Sequence, residues 1–467
     1  MQNTFSSILN RVIESGVQSK NSIILNSKID RSTFFQILSG KRLPTEKQYG
    51  KLLSAISPDD TLIKELDFAY ISEKYGSSFI NTYQFVLRLF SILKQHSFPP
   101  EYPSAVFSKN SDPLEPFESG VALRSSEEIT NCIRHILLNE IRTETLDKTE
   151  TSYIDIFAPT QALSDLGLFD MIKIIDINNK NNISFRHLAS FWNWNITRSH
   201  EAFIGFSQFL SLITSINLSY NIYSFDSKCS DFLSGTILPY YIIFPNGVLF
   251  FNQNYSSGFY SRNENLLSFF KSEYQKIIDS LTPMIVSAEQ FKDFIPLLSS
   301  LPDKTKTWHI ANKPGLAYIS NDYFLKQYVP DKETRERFSS YSTAYQHTDY
   351  KEFNSESGLL DMIKNGNMIE LSYHVDISDD DLDKMASILS ERLDKNLFMI
   401  NTDKLPLSEN WSVYVVEDTL ILMTPLTKGK KAIYVTEKTI VQAFTEFCTI
   451  MEKGFLLRDS SSVKSKL

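Results

Sequence analysis

Basic and amide side chains are concentrated in one short stretch near the N-terminus. They are Lys20, Lys28, Arg31, Gln36, Lys41 and Arg42. Residues 1–60 carry eight Lys and Arg against five Asp and Glu, a net charge of +3, whereas the rest of the chain carries 39 against 50, a net charge of −11. Attraction to phosphate needs a locally positive surface and not a basic chain as a whole. The stretch therefore has the residue types for contacts with a polyanion.

Two short helices joined by a tight turn are predicted to position these side chains. The first covers residues 20–27 and the second covers 31–39. The second helix has an apolar stripe at helical spacing, formed by Phe34, Ile37 and Leu38. Asp30 is predicted to cap this helix, because its carboxylate can accept from free backbone N–H groups. Gly40 suits a helix end that needs a positive φ, and Pro44 prevents any continuation.

This stretch resembles the Cro/repressor (XRE-type) helix-turn-helix family of DNA-binding domains. The family pattern is a polar residue that opens the first helix, an apolar plug in the turn, a recognition helix of the form S-R-S-T-I-S-x-I, and then G-K-R-x-P. The matching positions are Lys20, Ile29, residues 30–37 and residues 40–44. The resemblance covers residues 1–60 and nothing beyond them.

Three positions depart from the family pattern. Lys20 stands where Gln is usual, Ile24 stands where a small residue is usual, and Lys28 stands where the turn glycine is usual. Lys28 is therefore predicted to adopt a positive φ, unless the turn itself differs.

The resemblance implies binding to double-stranded DNA, with the second helix in the major groove. It implies that Arg31, Ser32 and Gln36 face base edges, and Arg favours guanine while Gln favours adenine. It also implies phosphate contacts that set the register, from Lys20, Lys28, Thr33, Lys41 and Arg42. A homodimer with paired half-sites is the usual arrangement for a head of this size. The alternative for the same small helical bundle is a protein–protein module.

The composition indicates a globular chain of two to four domains. The chain has 467 residues, of which 42% are hydrophobic, including 34 Phe and 22 Tyr. Its three cysteines, Cys132, Cys229 and Cys448, are far apart and suggest neither a zinc site nor a disulfide framework. The N-terminus lacks the features of a signal peptide, and the most apolar stretch, 237–251, is interrupted by proline and glycine. We therefore expect a cytoplasmic protein that contacts no membrane and needs no cofactor.

The predicted fold class is an all-α helix-turn-helix head followed by a large α/β (α+β) body. The predicted domains are the head at 1–60, a helical connector that offers a dimer contact at 61–97, a Pro-rich linker at 98–120, an α/β domain at 121–285, a connecting region at 286–349, a second α/β domain at 350–457 and a disordered tail at 458–467. In the first α/β domain, residues 153–157, 170–176 and 220–225 are predicted strands. Hairpins at 240–251 and 413–423, each followed by an amphipathic helix, suggest two similar hairpin–helix units.

Catalytic signatures are absent from the sequence. It contains no glycine-rich phosphate loop, no H-E-x-x-H and no H-x-K. The seven histidines are scattered, and each is interpreted as a structural histidine. The acidic run at 376–383 lacks the glycine and terminal glutamate of a calcium loop, so helix capping explains it better. Two tryptophan-containing segments, 192–194 and 308–310, could line a ligand cavity, but core packing is the simpler interpretation.

These features predict a sequence-specific transcription regulator and not an enzyme. Its large body would sense a small-molecule or peptide effector, dimerise, or do both. The alternative is a DNA-binding component of a mobile-element or phage-defence module that acts through protein partners. An enzyme fused to a DNA-targeting head is a third hypothesis. The sequence leaves open the operator, the effector, the choice between activation and repression, and the oligomeric state.

Overall fold

A computed structural model of the chain divides into two compact units. The first unit comprises residues Met1–Lys94, Phe291–Leu426 and Ile440–Leu467, and the second comprises Gln95–Gln290 and Thr427–Thr439. The structure describes residues 4–16, 18–95, 120–137, 151–178, 183–189, 200–216, 218–224, 237–281, 283–288, 301–315, 322–329, 331–333, 335–336, 339, 348–370, 373–426, 432–458 and 460–467. The predicted linker at 98–120 lies outside this set except for its last residue, as do Cys229 and the segment 192–194.

Six helices form the N-terminal part of the first unit. They are α1 (Phe5–Ser15), α2 (Lys20–Ser27), α3 (Arg31–Leu38), α4 (Glu46–Ile56), α5 (Asp60–Tyr75) and α6 (Ser77–Gln95). Side chains at the N-cap positions of α1 to α5 accept from backbone N–H groups, and these caps are Thr4, Ser19, Asp30, Thr45 and Asp59. The all-α N-terminal region predicted from the sequence is confirmed.

The apolar side of α6 is covered by the chain's own C-terminal part. Phe85 contacts Phe444 with ring centroids 6.2 Å apart, and Tyr83 contacts Phe447 at 6.3 Å. Val86 and Leu89 in the same helix are completely buried. The sequence suggested residues 61–97 as a dimer contact, but this packing within one chain leaves the apolar side of α6 unavailable to a partner subunit.

The body combines strands and helices in both units. The strands are β1 (Val121–Leu123), β2 (Ser152–Phe157), β3 (Ile183–Ala189), β4 (Ser219–Ser224), β5 (Tyr240–Phe244), β6 (Gly247–Phe251), β7 (Gly258–Ser261), β8 (Pro283–Ala288), β9 (Lys306–Ala311), β10 (Asp349–Ser355), β11 (Asn367–Glu370), β12 (Tyr373–Asp376), β13 (Leu397–Ile400), β14 (Trp411–Val416), β15 (Leu420–Pro425) and β16 (Ala432–Val435). The helices are α7 (Ser126–His135), α8 (Thr160–Asp165), α9 (Leu168–Asn178), α10 (His200–Ser215), α11 (Glu264–Asp279), α12 (Asp322–Tyr328), α13 (Glu356–Asn365), α14 (Asp379–Arg392), α15 (Lys438–Glu452) and α16 (Ser461–Lys464). The predicted α+β body is confirmed, and its strands pair in both parallel and antiparallel orientation.

The two units repeat one strand arrangement. In the second unit β2, β3 and β4 are parallel neighbours, and the hairpin β5–β6 pairs antiparallel with β2. In the first unit β9, β10 and β13 are parallel neighbours, and the hairpin β14–β15 pairs antiparallel with β9. The two similar hairpin–helix units suggested by the sequence therefore belong to larger regions with the same strand order. The second of these begins at β9, inside the predicted connecting region 286–349.

Residues 170–176 form part of helix α9 and not the predicted strand. The buried side chains Met171, Ile172 and Ile175 lie on one helical side. A short apolar run is compatible with either a strand or a buried helix, so its sequence alone could not decide.

The predicted disordered tail at 458–467 is ordered over its described residues. The Arg458 N–H donates to the Met399 carbonyl at 2.8 Å, and the Ser460 hydroxyl donates to the Asp394 carboxylate at 2.7 Å. Val463, within α16, is completely buried. The polar composition of this tail predicted disorder, but residues distant in the sequence supply hydrogen-bond partners for it. Among the described helices, none is both long and apolar enough to cross a lipid bilayer.

Candidate nucleic-acid interface

The turn between α2 and α3 contains the positive φ that was expected of Lys28. Lys28 has φ 53° and ψ 32°, in the left-handed region, and its side chain is exposed. The next residue, Ile29, is buried and anchors the turn against the helices. A non-glycine residue therefore adopts the left-handed conformation here, at a modest conformational cost.

The beginning of α3 is fixed by Asp30. Its carboxylate accepts from the Thr33 N–H at 2.8 Å. A side-chain hydrogen bond with Thr33, the backbone hydrogen bond and the nearby charge of Arg42 hold the pKa of Asp30 below its usual value. The residue is thus a charged N-cap at neutral pH, and its charge complements the positive end of the helix.

The end of α3 is closed by two reverse hydrogen bonds. The Gly40 N–H donates to the Ile37 carbonyl at 3.1 Å, and the Lys41 N–H donates to the Gln36 carbonyl at 3.0 Å. This pattern is a Schellman motif, which needs a left-handed residue, and Gly40 has φ +71°. A Cβ atom at Gly40 would lie 2.9 Å from the Ser6 hydroxyl oxygen of α1. The motif sets the direction in which Lys41 and Arg42 leave the helix.

Contacts with α1 fix the apolar side of α3. Phe34 and Ile37 are completely buried. The Asn10 side-chain amide donates to the Leu38 carbonyl at 2.8 Å and to the Ser6 carbonyl at 2.9 Å. With one side of α3 fixed, the opposite side is presented to solvent.

Seven of the eight predicted DNA-contacting residues are exposed. We define the α2–α3 surface as this set, which comprises Lys20, Lys28, Arg31, Ser32, Gln36, Lys41 and Arg42. The eighth residue, Thr33, is only 9% exposed and is engaged with the Asp30 cap. The α2–α3 surface therefore carries five cationic side chains and two polar ones.

Two apolar residues that the sequence analysis did not select are also exposed beside this surface. Leu25 of α2 is 76% exposed and Phe35 of α3 is 43% exposed. The Arg31 guanidinium carbon lies 5.9 Å from the centroid of the Phe35 ring. The signal was present in the sequence, because Phe35 falls outside the stripe of Phe34, Ile37 and Leu38.

The opposite part of the helical region packs against the C-terminal part of the same unit. The Lys404 ammonium group lies 2.6 Å from the Asp67 carboxylate, and Tyr49 donates to that carboxylate at 2.6 Å. The side chains of Lys404 and Asp67 are only 9% and 8% exposed. Burial lowers the pKa of Lys404 although Asp67 opposes the shift, and burial together with the Asp67 charge raises the pKa of Tyr49 well above its usual value.

An aromatic stack extends this buried contact. The Tyr49 and Tyr70 rings are parallel with centroids 4.2 Å apart, and Phe455 stacks 6.1 Å from Tyr49 and 5.9 Å from Tyr70. The Lys404 ammonium group lies 5.0 Å from the Tyr49 ring centroid. Helices α4 and α5 are thus joined to the C-terminal part of the unit, while the α2–α3 surface stays exposed.

A second polar cluster is buried between β9 and β10. His309 Nδ1 lies 3.2 Å from Glu352 Oε1, which also accepts from the Gly315 N–H at 2.6 Å. The His309 ring stacks on Tyr414 at 4.1 Å, and its Nε2 atom has no hydrogen-bond partner among the described residues. Trp308 beside it is completely buried, in agreement with the core-packing interpretation of this segment. Within the part of the chain that the structure describes, no three His, Cys, Asp or Glu side chains group as metal ligands.

Comparisons with known proteins give no family for this chain. No family model matches it, and no curated protein matches it. One solved structure that it resembles is that of TrmBL2, an archaeal chromatin protein described as showing a novel mode of DNA binding. That match covers 59% of this chain and 92% of the other at 11% identity, with a TM-score of 0.22. An overlap this weak carries no argument about fold or function.

Proposed function

We propose that this protein is a sequence-specific DNA-binding transcription regulator whose head is a helix-turn-helix of the Cro/repressor (XRE) type. The observation that carries the proposal is the α2–α3 surface. Helix α3 has a buried apolar side and an exposed polar side, and its flanking turns present the cations Lys28, Lys41 and Arg42. In this proposal α3 enters the major groove, Arg31, Ser32 and Gln36 meet base edges, and the flanking cations hold phosphates.

Charge supports a nucleic acid over a protein partner. The first 60 residues have eight cationic side chains against five acidic ones, although the chain as a whole has a net charge of −8. Asp30, the acidic residue closest in sequence to Arg31, is engaged as a helix cap. A local cationic surface on an acidic chain favours binding at one site and disfavours non-specific wrapping.

The α/β region of the first unit is proposed as the regulatory part. The contacts of Lys404 and Phe455 with α4 and α5 provide a physical connection to the head. An effector can act through such a connection only if it binds the DNA-competent and DNA-incompetent states unequally, and a difference of about 1–3 kcal/mol changes operator affinity roughly 5- to 150-fold. We further propose a homodimer, because two heads on half-sites one DNA turn apart give the specificity that one head lacks.

In vitro selection from random duplexes with the full chain tests the proposal. Binding of the selected duplex is then measured by fluorescence anisotropy over a range of salt concentrations. Lys41→Gln and Arg42→Gln should each weaken binding to all duplexes and reduce the salt slope by about 1.

Lys47→Gln is the matched control for these two variants. It removes the same charge from an exposed side chain of helix α4, and the Lys47 backbone nitrogen lies near Gly454 of the C-terminal part. This control should bind like the wild type. An unenriched selection, or an equal loss from all three variants, would contradict the proposed function.

A further inference from the structure

Phe35 is an exposed aromatic residue on the polar side of α3. It is 43% exposed, whereas Phe34 beside it is completely buried. It lies four residues after Arg31, so the two side chains share one side of the helix. Its ring contacts Phe34 edge-on with centroids 5.7 Å apart, and the rest of the ring is open to a ligand beside the cationic residues of the α2–α3 surface.

Arg31 and Phe35 are in contact with each other. The guanidinium carbon lies 5.9 Å from the ring centroid, within the range in which a cation is attracted to an aromatic ring. The contact restrains a long, flexible side chain before any ligand binds. Both groups then meet a ligand as one unit, with a cationic fork beside an apolar ring.

We propose that this unit reads a guanine and a neighbouring thymine together, with Arg31 on the guanine O6 and N7 atoms and the Phe35 ring on the thymine C5-methyl group. The inference rests on the proposed function and specifies what α3 recognises. The C5-methyl of thymine is the apolar group that a base pair displays in the major groove, and arginine is the commonest partner of guanine there. The two bases must be neighbours because the two side chains touch.

Charge complementarity favours DNA over a protein as the molecule that contacts Phe35. Arg31 contacts the Phe35 ring, and Lys28, Lys41 and Arg42 are exposed in the turns at either end of the same helix. An apolar protein partner would have to desolvate these charges, whereas the DNA backbone pairs with them. A protein contact at Phe35 is therefore an outcome that the experiment must be able to detect.

The experiment replaces each thymine of the selected duplex in turn by deoxyuridine, which removes only the methyl group. The full chain is titrated with each duplex by fluorescence anisotropy. The wild type should lose about fourfold in affinity at one thymine next to a guanine, the factor that corresponds to burial of one methyl group. Phe35→Ala should bind the thymine and deoxyuridine duplexes equally.

Phe68→Ala is the matched control, because Phe68 of α5 is 52% exposed and lies outside α3. This variant should keep the fourfold difference. Thermal unfolding of Phe35→Ala should show a cooperative transition well above the assay temperature, so that a loss of thymine dependence is measured on a folded protein.

Two results would overturn the inference alone: no thymine replacement alters wild-type affinity, or Phe35→Ala keeps the fourfold difference. Light scattering adds a separate readout. If Phe35→Ala lowers the mass of the complex in solution and keeps the thymine dependence, Phe35 contacts protein and the inference is wrong. A selection that enriches no sequence contradicts the proposed function itself, and this inference with it.

Discussion

Replacement of Lys404 by Met should destabilise the first unit strongly. The methionine fills the space of the lysine stem but leaves the Asp67 carboxylate buried, with the Tyr49 hydroxyl as its remaining partner in this cluster. Removal of one partner of a buried ion pair typically costs about 3–5 kcal/mol, because an uncompensated charge stays buried. Asp67→Asn in the same chain should restore at least about 2 kcal/mol, because the buried charge is then gone.

Urea unfolding followed by tryptophan fluorescence measures this loss. Trp308 and Trp411 are buried in the first unit, whereas residues 192 and 194 fall within the range of the second. A background in which Trp192 and Trp194 are replaced by Phe therefore reports on the first unit alone. Two compact units need not unfold in one step, so a unit-specific signal is required.

Lys306→Met is the matched control for Lys404→Met. Lys306 faces Glu417 at 4.0 Å, and both side chains are about one-third exposed. An exposed pair of this kind contributes about 0–1 kcal/mol. If Lys404→Met costs no more than this control, or if Asp67→Asn fails to restore stability, the buried pair does not hold α5 to the C-terminal part.

Two further predictions concern other parts of the fold. Gly40→Ala should lower the free energy of unfolding of the first unit by about 1–2 kcal/mol, because alanine is strained at φ +71° and its Cβ meets Ser6. Urea unfolding measures this loss, and an unchanged urea midpoint would contradict the Schellman assignment. Burial lowers the pKa of His187 to about 4 from 6.5, and the unfolded chain therefore binds more protons between these pH values. The free energy of unfolding of the second unit should fall by about 3 kcal/mol as the pH falls from 6.5 to 4, and His187→Gln should remove most of that loss. Urea midpoints measured across this pH range test the prediction, and the same loss in the variant would assign the acid sensitivity to other groups.

Local signals made the N-terminal helices predictable. Asp30 and Thr45 mark helix starts through their side-chain caps, and Gly40 marks a helix end. The positive φ of Lys28 agrees with the expectation drawn from the resemblance, in which Lys28 stands where the turn glycine is usual. Each of these features depends on a few neighbouring residues, which the sequence displays directly.

Long-range contacts were not predictable in the same way. Asp67 and Lys404 are separated by 337 positions, and nothing in the sequence around either residue indicates that the two form a pair. The tail at 458–467 is ordered by Met399 and Asp394, although its own composition indicated disorder. Residues 170–176 became a helix because burial on one side favoured that geometry over a strand. Tertiary packing decided these features.

Titration with base-substituted duplexes tests whether the α2–α3 surface reads DNA sequence. Arg31→Ala and Lys41→Ala are each titrated against the selected duplex and all its single base-pair substitutions. Arg31→Ala should lose about 1–3 kcal/mol on the selected duplex and become indifferent to the base pair at one position, while Lys41→Ala should weaken binding to every duplex alike. Equal losses from both variants on every duplex, random DNA included, would show that Arg31 does not read a base.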